Sequence, residues 1–290
     1  MYNVAPFFID YAKIVSIRIM TENNHKNKKI SILGCGWYGL EMAKQLIKNG
    51  YKVKGSSTTS AKIPIMQQHG ISPFIIEFQE AAENYNAAFF DCDILLISIP
   101  PKRSAAEQHT FLSKINRISK VADRYNIKNI IFISSTSVYG DGNQEVTENS
   151  VAHPDTASGK AILAAELLLK QQTAFNTTII RFGGLTGPGR DPGKFFAGKT
   201  AIPNGNAPVN LIHLSDCIGI TLQIIKNEAF GLIYNACAPG HPSRKEFYTQ
   251  AASNSGLDIP VFIDELLNWK LVISKNIELY LDYKFQVSFL

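Results

Sequence analysis

The sequence predicts an α/β protein: a doubly wound, mainly parallel sheet followed by a smaller, loop-rich region. Three observations carry this. Short continuous apolar runs alternate with helix-periodic segments from residue 29 to residue 182, the pattern of parallel strands buried on both faces. The first apolar run breaks into Gly34-Cys35-Gly36-Trp37-Tyr38-Gly39, a G-x-G-x-x-G that leads straight into helical periodicity. After Gly187-Pro188-Gly189-Arg190 the alternation stops, and Gly, Pro and Asn crowd residues 187–210.

The elements follow in order. Residues 30–33 form the first strand, and the helix after it places Leu40, Ala43, Leu46 and Ile47 on one face, with Gly50 at its C-terminus. Residues 51–55 are a second strand, 56–60 a loop, 61–69 a short helix closed by Gly70, and 74–76 a third strand. A fourth strand, 93–99, runs into Pro100-Pro101, and an amphipathic helix over 104–125 turns Phe111, Leu112, Ile115 and Ile118 inward. Residues 129–134 are the fifth strand, 156–172 a helix and 177–182 the sixth strand. Right-handed crossovers then place ligands at the carboxyl ends of the strands. Residues 29–187 read as one nucleotide-binding domain and 188–290 as a second region. Within the latter, 211–237 returns to the sheet with a helix and a strand at 232–236, and a further helix spans 244–253.

Composition excludes several classes. The 290 residues supply a sizeable core, 45% being hydrophobic and 18% charged. The formal charge of +5 is spread out, with only Lys26, Lys28 and Lys29 bunched, which is not the basic stripe of a nucleic-acid groove. No apolar run approaches the ~20 residues that span a bilayer, so no membrane segment is expected. Cys35, Cys92, Cys217 and Cys237 form no C-x-x-C, and the six histidines form no H-x-x-x-H, so neither a metal site nor a disulfide framework is expected. Free buried thiols suit a cytoplasmic protein. Residues 1–28 fit poorly with the rest: 4–20 is semi-apolar but interrupted by Asp10, Lys13 and Arg18, and 21–29 is polar. This stretch reads as a disordered or spurious extension, with translation beginning at Met20.

The glycine-rich turn carries the first chemistry. Gly34 allows the tight turn, Gly36 lets the backbone approach a pyrophosphate, and Gly39 lets helix and strand pack closely. Trp37 and Tyr38 at the helix start, and Pro100 beyond the fourth strand, flank the same cofactor. An NAD-specific site places an acid about 20 residues further on, against the ribose hydroxyls. Here no Asp or Glu occurs from Met42 through Ile76. Ser57 and Thr58, with Lys62 just beyond, suit a 2′-phosphate instead, so NADP is favoured over NAD. The same hydroxyls would equally serve as caps for the next helix.

A second constellation is Ser134-Ser135-Thr136-Ser137-Val138-Tyr139-Gly140 at the end of the fifth strand. Together with the glycine loop, residues 93–101, 181–190 and Ile212-His213-Leu214-Ser215-Asp216, it resembles the extended short-chain dehydrogenase/reductase superfamily, the NAD-dependent epimerase/dehydratases. The resemblance covers about residues 29–290 and implies a Rossmann sheet. It further implies that Ser135 hydrogen-bonds the reacting oxygen of a small-molecule substrate, and that loops after the sixth strand line the substrate pocket. Arg190 and Thr136 would lie on the substrate side, with Arg190 where the family can meet a sugar-nucleotide phosphate. His213 and Asp216 would order the segment that returns to the sheet, and a homodimer would form through two long helices.

One part of the family pattern is missing. The Tyr of its Y-x-x-x-K, a general acid/base whose pKa the Lys lowers, falls here on Ser158, and the Lys falls on Ile162. This departure resembles the superfamily's atypical subgroup, which keeps the Rossmann loop and the upstream Ser but lacks the pair. The substitutes at hand are Tyr139, Ser158 and Lys160, with Thr136 and His153 as further polar neighbours, although each also fits a structural role. Lys160 is two residues from Ser158, on nearly the opposite helix face. Two functions follow: an NAD(P)-dependent epimerase, dehydratase or reductase acting on a hydroxyl or carbonyl, or a non-catalytic sensor of NADP(H).

Overall fold

The computed structural model describes residues 28–101 and 105–289. All of the expected N-terminal extension except Lys28 lies outside them, as does the proposed start at Met20.

Seven strands form the central sheet: β1 (Lys29–Leu33), β2 (Lys52–Ser57), β3 (Ser72–Ile75), β4 (Ile94–Ile97), β5 (Asn129–Ser135), β6 (Asn176–Phe182) and β7 (Ile233–Ala236). Their spatial order is β3-β2-β1-β4-β5-β6-β7, and every neighbouring pair is parallel. The order reverses between β1 and β4, which opens a crevice at the carboxyl ends of those two strands. The helices are α1 (Trp37–Lys48), α2 (Ile63–Gln68), α3 (Ala105–Arg124), α4 (Ala157–Lys170), α5 (Leu214–Lys226), α6 (Arg244–Asn254) and α7 (Lys275–Leu281).

Strand residues alternate between two cores, which is why the strands read as unbroken apolar runs. Ile30, Ile32, Ile94, Leu96, Ile131 and Ile180 face a core completed by Tyr38, Met42, Ala43 and Leu46 of α1 and by Ile220, Ile224 and Ile225 of α5. Leu33, Leu95, Ile97, Ile130 and Phe132 face the other, against Phe111, Ile115, Ile118 and Val121 of α3 and Ala165 and Leu169 of α4. In α1, Leu40 and Ile47 are only partly buried at the margin of the first core, and Tyr38 and Met42 take the centre. Leu112, expected inward on α3, is exposed.

Three features depart from the expected element list. The helix expected over 61–69 is a 3₁₀ turn, Ser60–Lys62, followed by α2, with Pro64 in its first turn. Two-residue strands at Glu77–Phe78 and Glu83–Asn84 make a small hairpin. In the second region, Gly184–Thr186 pairs with Leu211–His213, and Lys270–Val272 pairs with Gln144–Val146, so residues after 187 are laced back onto the first half.

Candidate functional site

The turn after β1 is built for close approach. Gly34 has φ +102°, and a Cβ there would lie 2.8 Å from Ile99 and 3.1 Å from the Ser98 carbonyl. A Cβ on Gly39 would lie 2.2 Å from the Gly34 carbonyl oxygen, so β1 and α1 could not pack as they do. Gly36 faces open space and caps α1 with no side-chain hydrogen bond, which leaves the first N–H groups of the helix to a ligand. The end of β2 holds this turn. Ser56 Oγ accepts from Gly34 N at 2.9 Å, the Ser56 carbonyl accepts from Cys35 N at 2.8 Å, and Lys62 Nζ donates to the Cys35 carbonyl at 3.1 Å.

Two cavities meet over the strand ends. One, of about 290 Å³, is bounded by Gly36, Trp37 and Tyr38, by Ser98 to Pro101, by Ser134, Ser135 and Ile162, and by Phe182, Gly183, Leu185 and Arg190. The other, of about 150 Å³, is bounded by Gly34, Ser56, Ser57, Thr58, Glu77, Phe78 and Lys114. Ile99, Pro100 and Phe111 line both. Gly34 borders the smaller cavity and Gly36 the larger, so the glycine turn touches both, a cradle that fits a dinucleotide. Nicotinamide supplies hydride chemistry when bound there.

Most of the cofactor residues read from sequence are placed together here, with two qualifications. Tyr38 borders the larger cavity, but its hydroxyl donates to Thr221 at 2.7 Å within the core, and burial raises its pKa far above the ordinary tyrosine range. Lys62 turns to the Cys35 carbonyl and does not line the smaller cavity. Ser57 Oγ accepts from Thr59 N at 3.1 Å, so the loop also braces itself, while Thr58 is exposed at the cavity. Glu77 and Lys114 were not singled out from the sequence. Glu77 is the first acid after the acid-free stretch and stands just past β3, beside β2 in the sheet. Nothing in the helical periodicity of α3 distinguishes Lys114.

Ser135 stands at the end of β5 inside the larger cavity. Its Oγ accepts from Ser137 N at 3.1 Å, capping a 3₁₀ turn over Thr136–Val138, and its own O–H is left to donate. The other candidates for chemistry are not brought there. Tyr139 is 2% exposed, and its hydroxyl accepts from Arg181 Nη1 at 2.6 Å and faces Asn235 Oδ1 at 2.9 Å and the Thr147 carbonyl at 2.8 Å. Burial raises its pKa, and with its hydroxyl engaged by these three partners Tyr139 does not line the larger cavity. Thr136 is buried, with its carbonyl accepting from Tyr139 N, and it does not line the cavity. Ser158 sits in the first turn of α4, 3.4 Å from Thr156 Oγ1, and Lys160 is exposed on that helix. His153 lies on a separate cleft with Asp141 and Asp155. Ile162, where the resemblance puts the family's Lys, does line the cavity, so an apolar wall stands where that cation would be.

A buried network underlies Ser135. Arg181 of β6 is paired with Glu166 of α4 through two hydrogen bonds, Nε–Oε1 at 3.0 Å and Nη2–Oε2 at 2.6 Å, and Ser134 Oγ donates to the same carboxylate. Burial works to lower the Arg181 pKa, but the bonds to Glu166 outweigh it and hold the guanidinium charged. On the far side, His213 Nδ1 accepts from Ser215 N and caps α5. Fully buried Asp216 accepts from Tyr283 Oη, Gln286 N and Val287 N. Both residues therefore order backbone and do not reach the cavity.

This fold and cradle define a nicotinamide-nucleotide-binding protein: the chain belongs to the NAD(P)H-binding family, whose model matches residues 34–214. It is 38% identical to Protein YeeZ of Escherichia coli (strain K12) over 242 residues, covering 82% of this chain and 88% of that one. It shares its fold with two epimerases of Bacillus cereus. The UDP-N-acetylglucosamine 4-epimerase matches with a TM-score of 0.74 at 16% identity, covering 90% of this chain and 95% of that one. The UDP-glucuronic acid 4-epimerase in complex with NAD matches with a TM-score of 0.73 at 17% identity, covering 90% and 94%. The motif resemblance to epimerase/dehydratases and the observed architecture thus agree. Among the described residues no helix is long and apolar enough to cross a membrane, and no group of three or more His, Cys, Asp or Glu is placed to hold a metal ion.

Proposed function

We propose that this chain is an NAD(P)-dependent oxidoreductase of the epimerase/dehydratase type, with NADP favoured over NAD, acting on a hydroxyl or carbonyl of a small or sugar-nucleotide substrate. The observation that carries this is the placement of the Ser135 hydroxyl in one cavity with Gly36 and Pro100 of the nucleotide wall. Ser135 then donates its O–H to the substrate oxygen and orients it beside the nicotinamide. Among the described residues, the cavity is lined by no carboxylate, imidazole or lysine, and the hydroxyl of Tyr38, its one tyrosine, is held by Thr221. Around the smaller cavity, Thr58, Ser57 and Lys114 support the NADP preference, while Glu77 in the same lining favours NAD. A cytoplasmic homodimer goes with this reading, Leu112 on α3 and Leu167 on α4 being exposed apolar residues.

The same shortage of titratable groups favours a second reading, a non-catalytic NADP(H) sensor. The first experiment is thermal melting with NADPH and NADH, since a ligand of the native state raises the melting temperature. Stabilisation by NADH alone would overturn the NADP preference. The second follows the cofactor's absorbance in wild type and Ser135→Ala, as bound NADP+ is reduced by the hydroxyls of a panel of sugar nucleotides and bound NADPH is oxidised by small carbonyls. Turnover that falls by about a hundredfold in the variant, with binding retained, supports the enzyme. Tight binding with no hydride exchange for any substrate supports the sensor.

A further inference from the structure

We infer that Arg190 and Trp37 clamp the diphosphate bridge of the bound dinucleotide, so that the loop 187–190 retains the cofactor. This rests on the reading that a dinucleotide occupies the glycine-rich turn, and it reassigns Arg190, which the family resemblance directs toward the substrate.

The loop rests on a single side chain of the glycine turn. Trp37 is the first residue of α1, at the helix end where a diphosphate is received. Its indole N–H donates to the Pro188 carbonyl at 2.7 Å. Gly187, at φ +137°, lies so close that a Cβ there would come within 3.3 Å of the indole ring. The guanidinium of Arg190 lies over the same ring, 4.4 Å from its centroid. Gly187, Pro188 and Arg190 are thus all held against Trp37, and the cation lines the same cavity as Gly36, whose own face is open.

The charges point the same way. Among the described residues lining the larger cavity, Arg190 is the one charged side chain. The first turn of α1 carries no acidic residue, and no side chain caps its N–H groups. A guanidinium stacked on an indole keeps its charge and its edge donors, and these match two phosphate oxygens at once. The free N–H groups supply the other half of the cradle. Lys62 and Ser56 are already engaged in bracing the turn from the β2 side.

The test uses the full chain carrying Trp269→Phe, so that Trp37 emission reports binding, and titrates NADPH, ADP-ribose and 2′-AMP, which has no 5′-diphosphate. Arg190→Met should weaken NADPH and ADP-ribose by about 10–100-fold and leave 2′-AMP within about twofold, and Arg190→Lys should recover part of the loss. Trp37→Phe, followed by NADPH fluorescence, should release NADPH several-fold faster. Unchanged NADPH affinity in Arg190→Met overturns the clamp and leaves the proposed function standing. If UDP uptake by the loaded protein is then lost, Arg190 belongs to the substrate. Equal weakening of 2′-AMP and NADPH also overturns it, because the damage is then general. Wild-type protein that takes up none of the three ligands removes the dinucleotide reading and the clamp with it.

Discussion

Replacing Tyr139 by Phe separates a structural hub from a catalytic acid. The ring is 2% exposed, so Phe keeps the packing and opens no cavity. What disappears is one oxygen that receives Arg181 Nη1 and faces both Asn235 and the Thr147 carbonyl. Arg181 keeps its two bonds to Glu166 but is left with a buried, charged N–H without an acceptor. A buried group stranded in this way costs about 1–3 kcal/mol, with charged groups at the upper end, so about 2–3 kcal/mol is expected here. For a chain of this size that lowers the melting temperature by roughly 4–12 °C. NADPH affinity should stay the same, because the hydroxyl points away from the cavity. A proton donor would behave in the opposite way, losing about 10²–10⁴ in rate at unchanged stability. Circular-dichroism melting beside NADPH titration decides it. Melting within about 1 °C of wild type, together with lost hydride transfer, would refute the structural assignment and return Tyr139 to the reaction.

Two further outcomes follow from the same geometry. Gly39→Ala puts a Cβ where the Gly34 carbonyl oxygen stands 2.2 Å away, so α1 must lift from β1. Denaturant unfolding should show a loss of about 3 kcal/mol or more, and NADPH binding should fail before the fold does. His241 has its pKa lowered by burial, so the folded chain takes up that proton at lower pH than the unfolded chain, whose histidine titrates near 6.5. Well above pH 6.5 the group is neutral in both states and contributes nothing. As pH falls through 6.5, the unfolded state binds the proton first and stability declines. Urea midpoints between pH 7 and pH 5 should fall less steeply in His241→Gln than in wild type.

The sheet was legible because both faces of its strands are buried, which turns each strand into an apolar run such as Ile94-Leu95-Leu96-Ile97. The glycine turn was legible because Gly34 and Gly39 meet steric demands that no other residue satisfies. Side-chain direction was not. Tyr38 and Tyr139 look alike in sequence to residues that face a ligand, yet each hydroxyl is claimed by a buried partner far along the chain, Thr221 and Arg181 respectively. Lys62 is a cation in the right loop that bends back to a carbonyl, whereas Lys114 arrives from a helix some fifty residues later in the chain. Arg190 was legible as a site residue, but its neighbour was not, since its contact with Trp37 joins segments 153 positions apart. The short paired strands at 184–186 and 270–272 carry too few residues to show any periodicity.

Asp216 ties the start of α5 to residues 283–287, about seventy positions later. During synthesis, therefore, the sheet and α5 leave the ribosome while this carboxylate still has none of those three donors. Until the tail docks, water serves this carboxylate, and the helix end lacks the three bonds that hold it in the folded chain. Part of the native stability should accordingly be gained only late in translation, when the tail closes over Asp216. A chain ending before Tyr283 would be held in the state that nascent chains only pass through, with the nucleotide cradle assembled over a weakened base.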